Sequence, residues 1–214
     1  MSQVIDAPPR YRTVADLLHE LGDIPADRVR LRPAPGTATE RDVIEIEARE
    51  KRLCELIDGV LVEKTVGFDE SLVAAALSRH LGNFVEAGNL GLVAGSDGMI
   101  RLLPDQVRIP DVGYFSRQSL PKKRSREPIP AIIPDLAVEI LSKGNSKGEM
   151  DRKLREYFQA GVRLVWLIDP RTRTARVFTS PKEMRRLKED ESLDGGDVLP
   201  GFVLPLCRLF DCLE

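Results

Sequence analysis

The chain has 214 residues, enough for one large α/β domain with a substantial core. Hydrophobic residues make up 42% and charged residues 31%, which excludes a disordered or fibrous chain. No apolar run approaches the roughly 18 residues of a membrane span. With 32 Lys and Arg against 34 Asp and Glu, the formal net charge is −2. The overall field therefore does not attract nucleic acid, and such a partner needs a local basic patch.

The start, MSQVIDAPPRYR, lacks the basic stretch and apolar core of a secretory signal, and residues 1–12 read as a loose tail. Cys54, Cys207 and Cys212 form no C-x-x-C pair, and their odd count predicts reduced thiols in a cytoplasmic chain. His19 and His80 lie far apart and read as surface residues rather than zinc ligands. No local Ser-His-Asp or Cys-His signature is present. Thr13 and Asp16 can cap a short helix running to about Leu21. The linker Arg32-Pro33-Ala34-Pro35-Gly36 then separates residues 1–36, a tail with a short helix, from a single domain over 37–214. A second, highly charged helix runs from Thr39 to about Arg52, with Val43, Ile44 and Ile46 as its apolar side.

Leu53–Ile57 and Val60–Lys64 flank Asp58-Gly59, a strong hairpin signal. Leu53, Glu55 and Ile57 share a face, so Glu55 is either a solvent-facing residue on an edge strand or an active-site carboxylate. Phe68 to about Ala87 is the longest helix, stopped by Gly88-Asn89, and weak strands follow at 92–94 and 99–103. Val107 to Phe115 reads as one core strand. Pro110 cannot donate to a ladder, so it marks a bulge or an unpaired position, and a bulge would aim Asp111 at a site. The other reading of Asp111 is a satisfied turn residue.

A basic run comes next, with Arg117, Lys122, Lys123, Arg124 and Arg126. It is either a solvated loop or a grip on a phosphate backbone. From Ile132 to Leu141 the apolar run is nearly continuous, the pattern of a central strand covered on both faces. Glu139 interrupts it. A lone carboxylate there costs several kcal/mol, so Glu139 is a residue at a strand end, one salt-bridged to a core Arg, or a metal ligand. The turn cluster Gly144–Gly148 leads into a helix from Glu149 to Ala160, ended by Gly161, on which Glu149 and Lys153 share a face. A second apolar strand, Val162–Ile168, completes a βαβ-sized unit with parallel strands. A strand at 175–179, a polar loop with a marginal strand at 182–192, and the apolar segments Leu199–Phe202 and Leu206–Leu213 close the domain.

Four motifs in this order carry a resemblance. They are CELIDGVLVEK at 54–64, VRIPDVGYFS at 107–116, PDLAVEILS with E-x-x-x-K-L-x-x-Y-x-x-A-G-V and VWLIDP within 134–170, and VLPGFVLPL at 198–206. Together they resemble the Uma-two family of bacterial restriction-endonuclease-like proteins, in the PD-(D/E)XK nuclease superfamily. The resemblance implies an α/β, restriction-endonuclease-like fold with a central mixed β-sheet flanked by helices. It also implies Mg²⁺- or Mn²⁺-dependent hydrolysis of DNA.

In that reading Asp111 and Glu139 hold the metal, with the Ile140 carbonyl as a third ligand. The superfamily lysine usually stands two residues after the acid, where this chain has Leu141. The resemblance moves it onto the helix as Lys153, with Glu149 four residues before it and Glu55 completing the set. Lys143, four residues after Glu139, is the competing candidate. Arg117, Lys122, Lys123 and Arg124 are the candidate nucleic-acid contacts. Relatives are expected to carry a Ser-His pair near the start of the long helix, where this chain has Asp69-Glu70-Ser71. The resemblance also admits a homodimer, since many such nucleases cut two strands with two subunits. The alternative is a catalytically silent binding module that keeps the fold. Retention of Glu55, Asp111, Glu139 and Lys153 together favours the enzyme.

Overall fold

The computed structural model describes residues 11–65, 67–123 and 125–214, so most of the expected tail, and Arg124 of the basic run, lie outside the described residues. The first elements are α1 (Val14–Glu20), α2 (Glu40–Glu50), β1 (Cys54–Ile57), β2 (Val60–Glu63) and α3 (Phe68–Ala87). Then come β3 (Gly91–Ala94), β4 (Ile100–Leu103), β5 (Gln106–Arg108), β6 (Val112–Ser116), β7 (Leu136–Ile140) and α4 (Lys147–Ala160). The chain ends with β8 (Leu164–Asp169), β9 (Thr174–Phe178), β10 (Met184–Leu187), β11 (Ser192–Asp194), β12 (Val203–Pro205) and α5 (Leu206–Phe210).

β1 and β2 pair antiparallel around Asp58 and Gly59, whose φ angles of 51° and 76° are the two positive values a type I′ hairpin turn requires. They belong to a four-stranded sheet of order β2-β1-β5-β4. α1, through Leu17, and the turn after it, through Leu21 and Ile24, cover one face of the hairpin and pack on Ile57, Val60 and Val62. The expected cap of α1 is present, with Thr13 and Asp16 exchanging backbone-to-side-chain bonds of 3.0 Å. Residues between the tail and Gly36 thus pack directly on the hairpin.

A second sheet has six strands in the order β10-β9-β8-β7-β6-β3. β7 and β8 run parallel while their other neighbours are antiparallel, so the sheet is mixed. α3 covers one face, with Leu77, Leu81 and Val85 against Leu136, Val138, Ile140 and Trp166. α4 covers the other, with Leu154 and Tyr157 against Ala137, Leu141, Val165 and Leu167. Strand alternation puts Glu139 on the face of Ala137 and Leu141, and therefore under α4.

Several expectations change. Val107 to Phe115 is not one strand: β5 and β6 belong to different sheets, with Ile109, Pro110 and Asp111 between them. Pro110, which has no N–H, sits at this hand-off as the unpaired position rather than the bulge. β7 begins only at Leu136, and Ile132 and Ile133 precede it as half-buried loop residues. The marginal strand expected in 182–192 is β10, and the stretch also holds the start of β11, because antiparallel pairing with β9 and β12 offers ladders.

Candidate active site

α4 brings the basic and acidic groups together. Its N-cap, Ser146, accepts the Glu149 N–H at 3.0 Å, and Gly161 ends it with φ 103°. Close approach of Gly148 to Gly22 fixes its start: a side chain at Gly148 would meet Gly22 O at 2.6 Å. The helix then runs back under β7, with Lys153 and Tyr157 one turn apart on the buried side. Lys153 Nζ donates to Glu139 Oε2 at 3.0 Å and lies 3.0 Å from Glu55 Oε1. Tyr157 Oη donates to Glu139 Oε1 at 2.5 Å. All four side chains are buried.

Glu55 reaches this point from β1. It accepts from Arg108 Nη1 at 2.7 Å and from the Ile109 N–H at 3.1 Å. Arg108 is 1% exposed and also donates through Nε to Glu156 at 2.8 Å. Glu156 continues to Arg152 at 2.7 Å, and Arg152 to Asp58 at 2.6 Å. A buried charge is tolerable only when paired and hydrogen-bonded, and this chain of partners pairs each one.

Burial alone would raise the Glu55 carboxyl, and the charges of Lys153 and Arg108 bring it down to about 2. Burial, aided by the charges of Asp111 and Glu55, keeps the Glu139 carboxyl above its ordinary value although Lys153 opposes this. Burial works against the Lys153 ammonium, yet Glu139, Glu55 and Glu149 more than offset it and raise its pKa. Lys153 is therefore a fixed positive charge rather than a proton acceptor.

Asp111 stands at the hand-off between the sheets. Its N–H donates to Val138 O at 2.9 Å, Oδ2 accepts the Ile140 N–H at 2.7 Å, and Oδ1 meets Lys64 Nζ at 2.9 Å. Asp111, Glu139, Ile140, Glu55 and Lys153 line one enclosed cavity of about 20 Å³, with Lys64 in its wall. That is room for about one water molecule or one small ion. The cavity adjoins an open cleft of about 550 Å³ with which it shares Arg28, Thr65, Glu70 and Ser142.

The donor set suits a hard divalent cation in kind: two carboxylates and the main chain of Ile140, all oxygen, as Mg²⁺ and Mn²⁺ prefer. Among the described residues no three His, Cys, Asp or Glu side chains gather as a metal-holding group. Such an ion would thus rest on Asp111, Glu139 and the Ile140 carbonyl, keeping water on its remaining positions.

The other expected residues lie elsewhere. Glu149 is drawn aside by Arg28, whose Nη1 and Nη2 donate to its two oxygens at 2.9 and 2.8 Å, and by Asn145 at 3.1 Å. Burial pushes its carboxyl up, but Arg28 and Lys153 win and lower it. Lys143 is exposed on the open cleft. Arg117 is also exposed and donates to Asn89 O at 2.6 Å. Lys122 and Lys123 are exposed. β6 pairs Val112 with Val138 and Tyr114 with Leu136, so the loop after Ser116 leaves the sheet at the end of β7 opposite Glu139. Arg117, Lys122 and Lys123 do not line the cavity.

Sequence reasoning missed four participants: Arg28, Lys64, Arg108 and Tyr157. Two have a readable signal. Tyr157 stands four residues after Lys153 on the same helix, where it passes for part of the apolar stripe. Arg108 stands inside an apolar run beside Asp111, the same anomaly that exposes Glu139. Arg28 and Lys64 meet the site through contacts between distant segments and carry no local signal.

The family model described as "Uma2: Putative restriction endonuclease" matches residues 41–207 of the chain. Among solved structures, the chain is similar to a crystal structure from Anabaena variabilis ATCC 29413, described as a putative nuclease belonging to DUF820. The two share 20% sequence identity with a TM-score of 0.68, covering 77% of this chain and 93% of that one. At that identity the likeness bears on the fold alone. No curated protein matches the chain.

Proposed function

Because this chain belongs to the Uma2 family of restriction-endonuclease-like proteins, we propose that it is a metal-dependent endonuclease hydrolysing phosphodiester bonds of DNA. The observation that carries this reading is the meeting of Asp111, Glu139 and Lys153 on one small cavity beside an open cleft. Two buried carboxylates, Glu139 and Glu55, with Lys153 between them and the half-buried Asp111 on the same cavity, make costly company unless the charges are used.

A divalent cation on Asp111 and Glu139 would supply a water of lowered pKa and neutralise charge on the phosphorane. Lys153, held protonated by its three carboxylate neighbours, presents a positive charge where negative charge grows on the phosphate. Tyr157 fixes one oxygen of Glu139 and leaves the carboxylate a single orientation. Arg108 does the same for Glu55, which in turn holds Lys153. Thr65 and Ser142 lie where cleft and cavity join, so the substrate phosphate would enter past them.

The test is digestion of plasmid, linear and branched DNA by the purified protein under Mg²⁺ and Mn²⁺ titration. Cutting should require the ion and disappear in Asp111→Asn and Glu139→Gln. Cutting that survives both substitutions would sink the assignment. A second reading, a silent module that binds DNA without cutting it, draws on one observation: Asp111, Glu139 and Glu55 each already face a protein cation. That reading predicts retention of DNA with no cutting at any ion concentration.

A further inference from the structure

Lys64 is the last residue of the hairpin motif and none of the chemistry above uses it. Its side chain is 8% exposed. Each of its three ammonium protons has an oxygen: Asp111 Oδ1 at 2.9 Å, Ile109 O at 2.7 Å and Ser96 O at 2.9 Å. A carboxylate and two main-chain carbonyls around one positive charge are the ligand types of a hard cation. The ammonium sits in the wall of the cavity shared by Glu139, Ile140 and Lys153. A surface lysine would keep its head in water, and this one instead hands it to the residue best placed to bind metal.

The cavity is close to charge balance. Its wall carries Glu55, Glu70, Asp111 and Glu139 against Arg28, Lys64 and Lys153, four carboxylates to three cations. Neutralising Lys64 doubles the net negative charge facing an ion. It also frees one oxygen of Asp111. At the few-ångström separations of a buried site, one unit charge changes a divalent ion's binding by far more than thermal energy.

We propose that Lys64 is a tethered cation that competes with the divalent ion for Asp111 and holds the site's metal affinity down. This rests on the metal-dependent reading proposed above. Lys64 is a positioning residue here, acting through Asp111 rather than on the substrate.

The experiment is calorimetric titration of Mn²⁺ into the full chain and its Lys64→Gln, Lys64→Met and Lys64→Arg variants, with Asp111→Asn as reference. Thermal melts in parallel check that each is folded. Lys64→Gln keeps a donor for the carbonyls and loses the charge; Lys64→Arg keeps the charge. The expected result is Mn²⁺ binding at least tenfold tighter in the Gln and Met variants and unchanged in the Arg variant. Binding seen only after the charge is removed would support the same conclusion. Equal affinity in wild type and all three Lys64 variants, with loss in Asp111→Asn, would overturn the role of Lys64 while leaving the metal site standing. Weaker binding in the folded Gln variant would make Lys64 structural and overturn it too. No binding in any protein would remove the metal reading, and this proposal with it.

Discussion

Tyr157 donates its hydroxyl to Glu139 across a helix–strand interface, a bond of 2.5 Å with both partners buried. Removing the donor while keeping the ring leaves one oxygen of a buried carboxylate without its partner. Tyr157→Phe should therefore cost about 1–3 kcal/mol of stability, read as a lower urea midpoint at unchanged slope. A midpoint equal to wild type would mean that water or Lys153 satisfies that oxygen equally well.

Lys153 and Lys143 should separate cleanly. Lys153 is buried between Glu139 and Glu55, whereas Lys143 is exposed on the open cleft. Lys153→Met should lower cleavage by at least about a hundredfold, the scale of a lost electrostatic group. It should also lower stability, since two carboxylates then share a dry site. Lys143→Ala should cut within a few-fold of wild type. The reverse order of effects would make Lys143 the functional lysine.

Glu55, held between Lys153 and Arg108, gives a pH signature. The carboxyl of Glu55 lies at about 2 in the folded chain, against 4.5 for an ordinary glutamate. Its folded value is depressed, so its contribution is fully present above the unfolded value and is lost as pH falls from about 4.5 towards 2. The stability gap between wild type and Glu55→Gln should narrow over that window and stay constant between about pH 6 and 8. Arg108→Met, which takes one buried cation from both Glu55 and Glu156 while leaving them Lys153 and Arg152, should cost about 3 kcal/mol at neutral pH. Chemical denaturation at several pH values checks both, and a gap that widens on acidification would contradict the pairing.

For the basic loop the expectation concerns salt. Replacing Lys122, Lys123 and Arg124 by Ala should flatten the dependence of DNA affinity on salt by about 2 to 3 in log–log slope, if each contacts one phosphate. An unchanged slope in a filter-binding or anisotropy series would leave the loop as solvated surface. The loop leaves the sheet at the end of β7 away from Glu139, so cleavage at low salt should change less than affinity at high salt.

How much of the site is legible in the sequence depends on how local each signal is. Glu139 stands out because a carboxylate inside LAVEIL contradicts its neighbours, and the 14-residue α4 is written in its caps, Ser146 and Gly161. Lys153 needs the family resemblance, since its partners lie on other elements. Lys64 and Arg28 are not legible: Lys64 meets Asp111 from the far end of the hairpin, and Arg28 meets Glu149 across a sequence separation of 121. Pro110 is recognisable as a residue unable to join a ladder, yet nothing local distinguishes a bulge from a change of sheet.

That change of sheet bears on the order of events at birth. Glu55, Lys64 and Arg108 belong to the hairpin side, while Glu139, Lys153 and Tyr157 arrive with the six-stranded sheet and α4. Only three residues, Ile109 to Asp111, join β5 to β6. Within the first half Glu55 can pair with Arg108, and the second half brings Glu139, Lys153 and Tyr157. The centre exists only once the two halves dock. Mn²⁺ binding should therefore appear in the last phase of refolding, after the hairpin sheet has formed, which stopped-flow refolding in the presence of the ion would read.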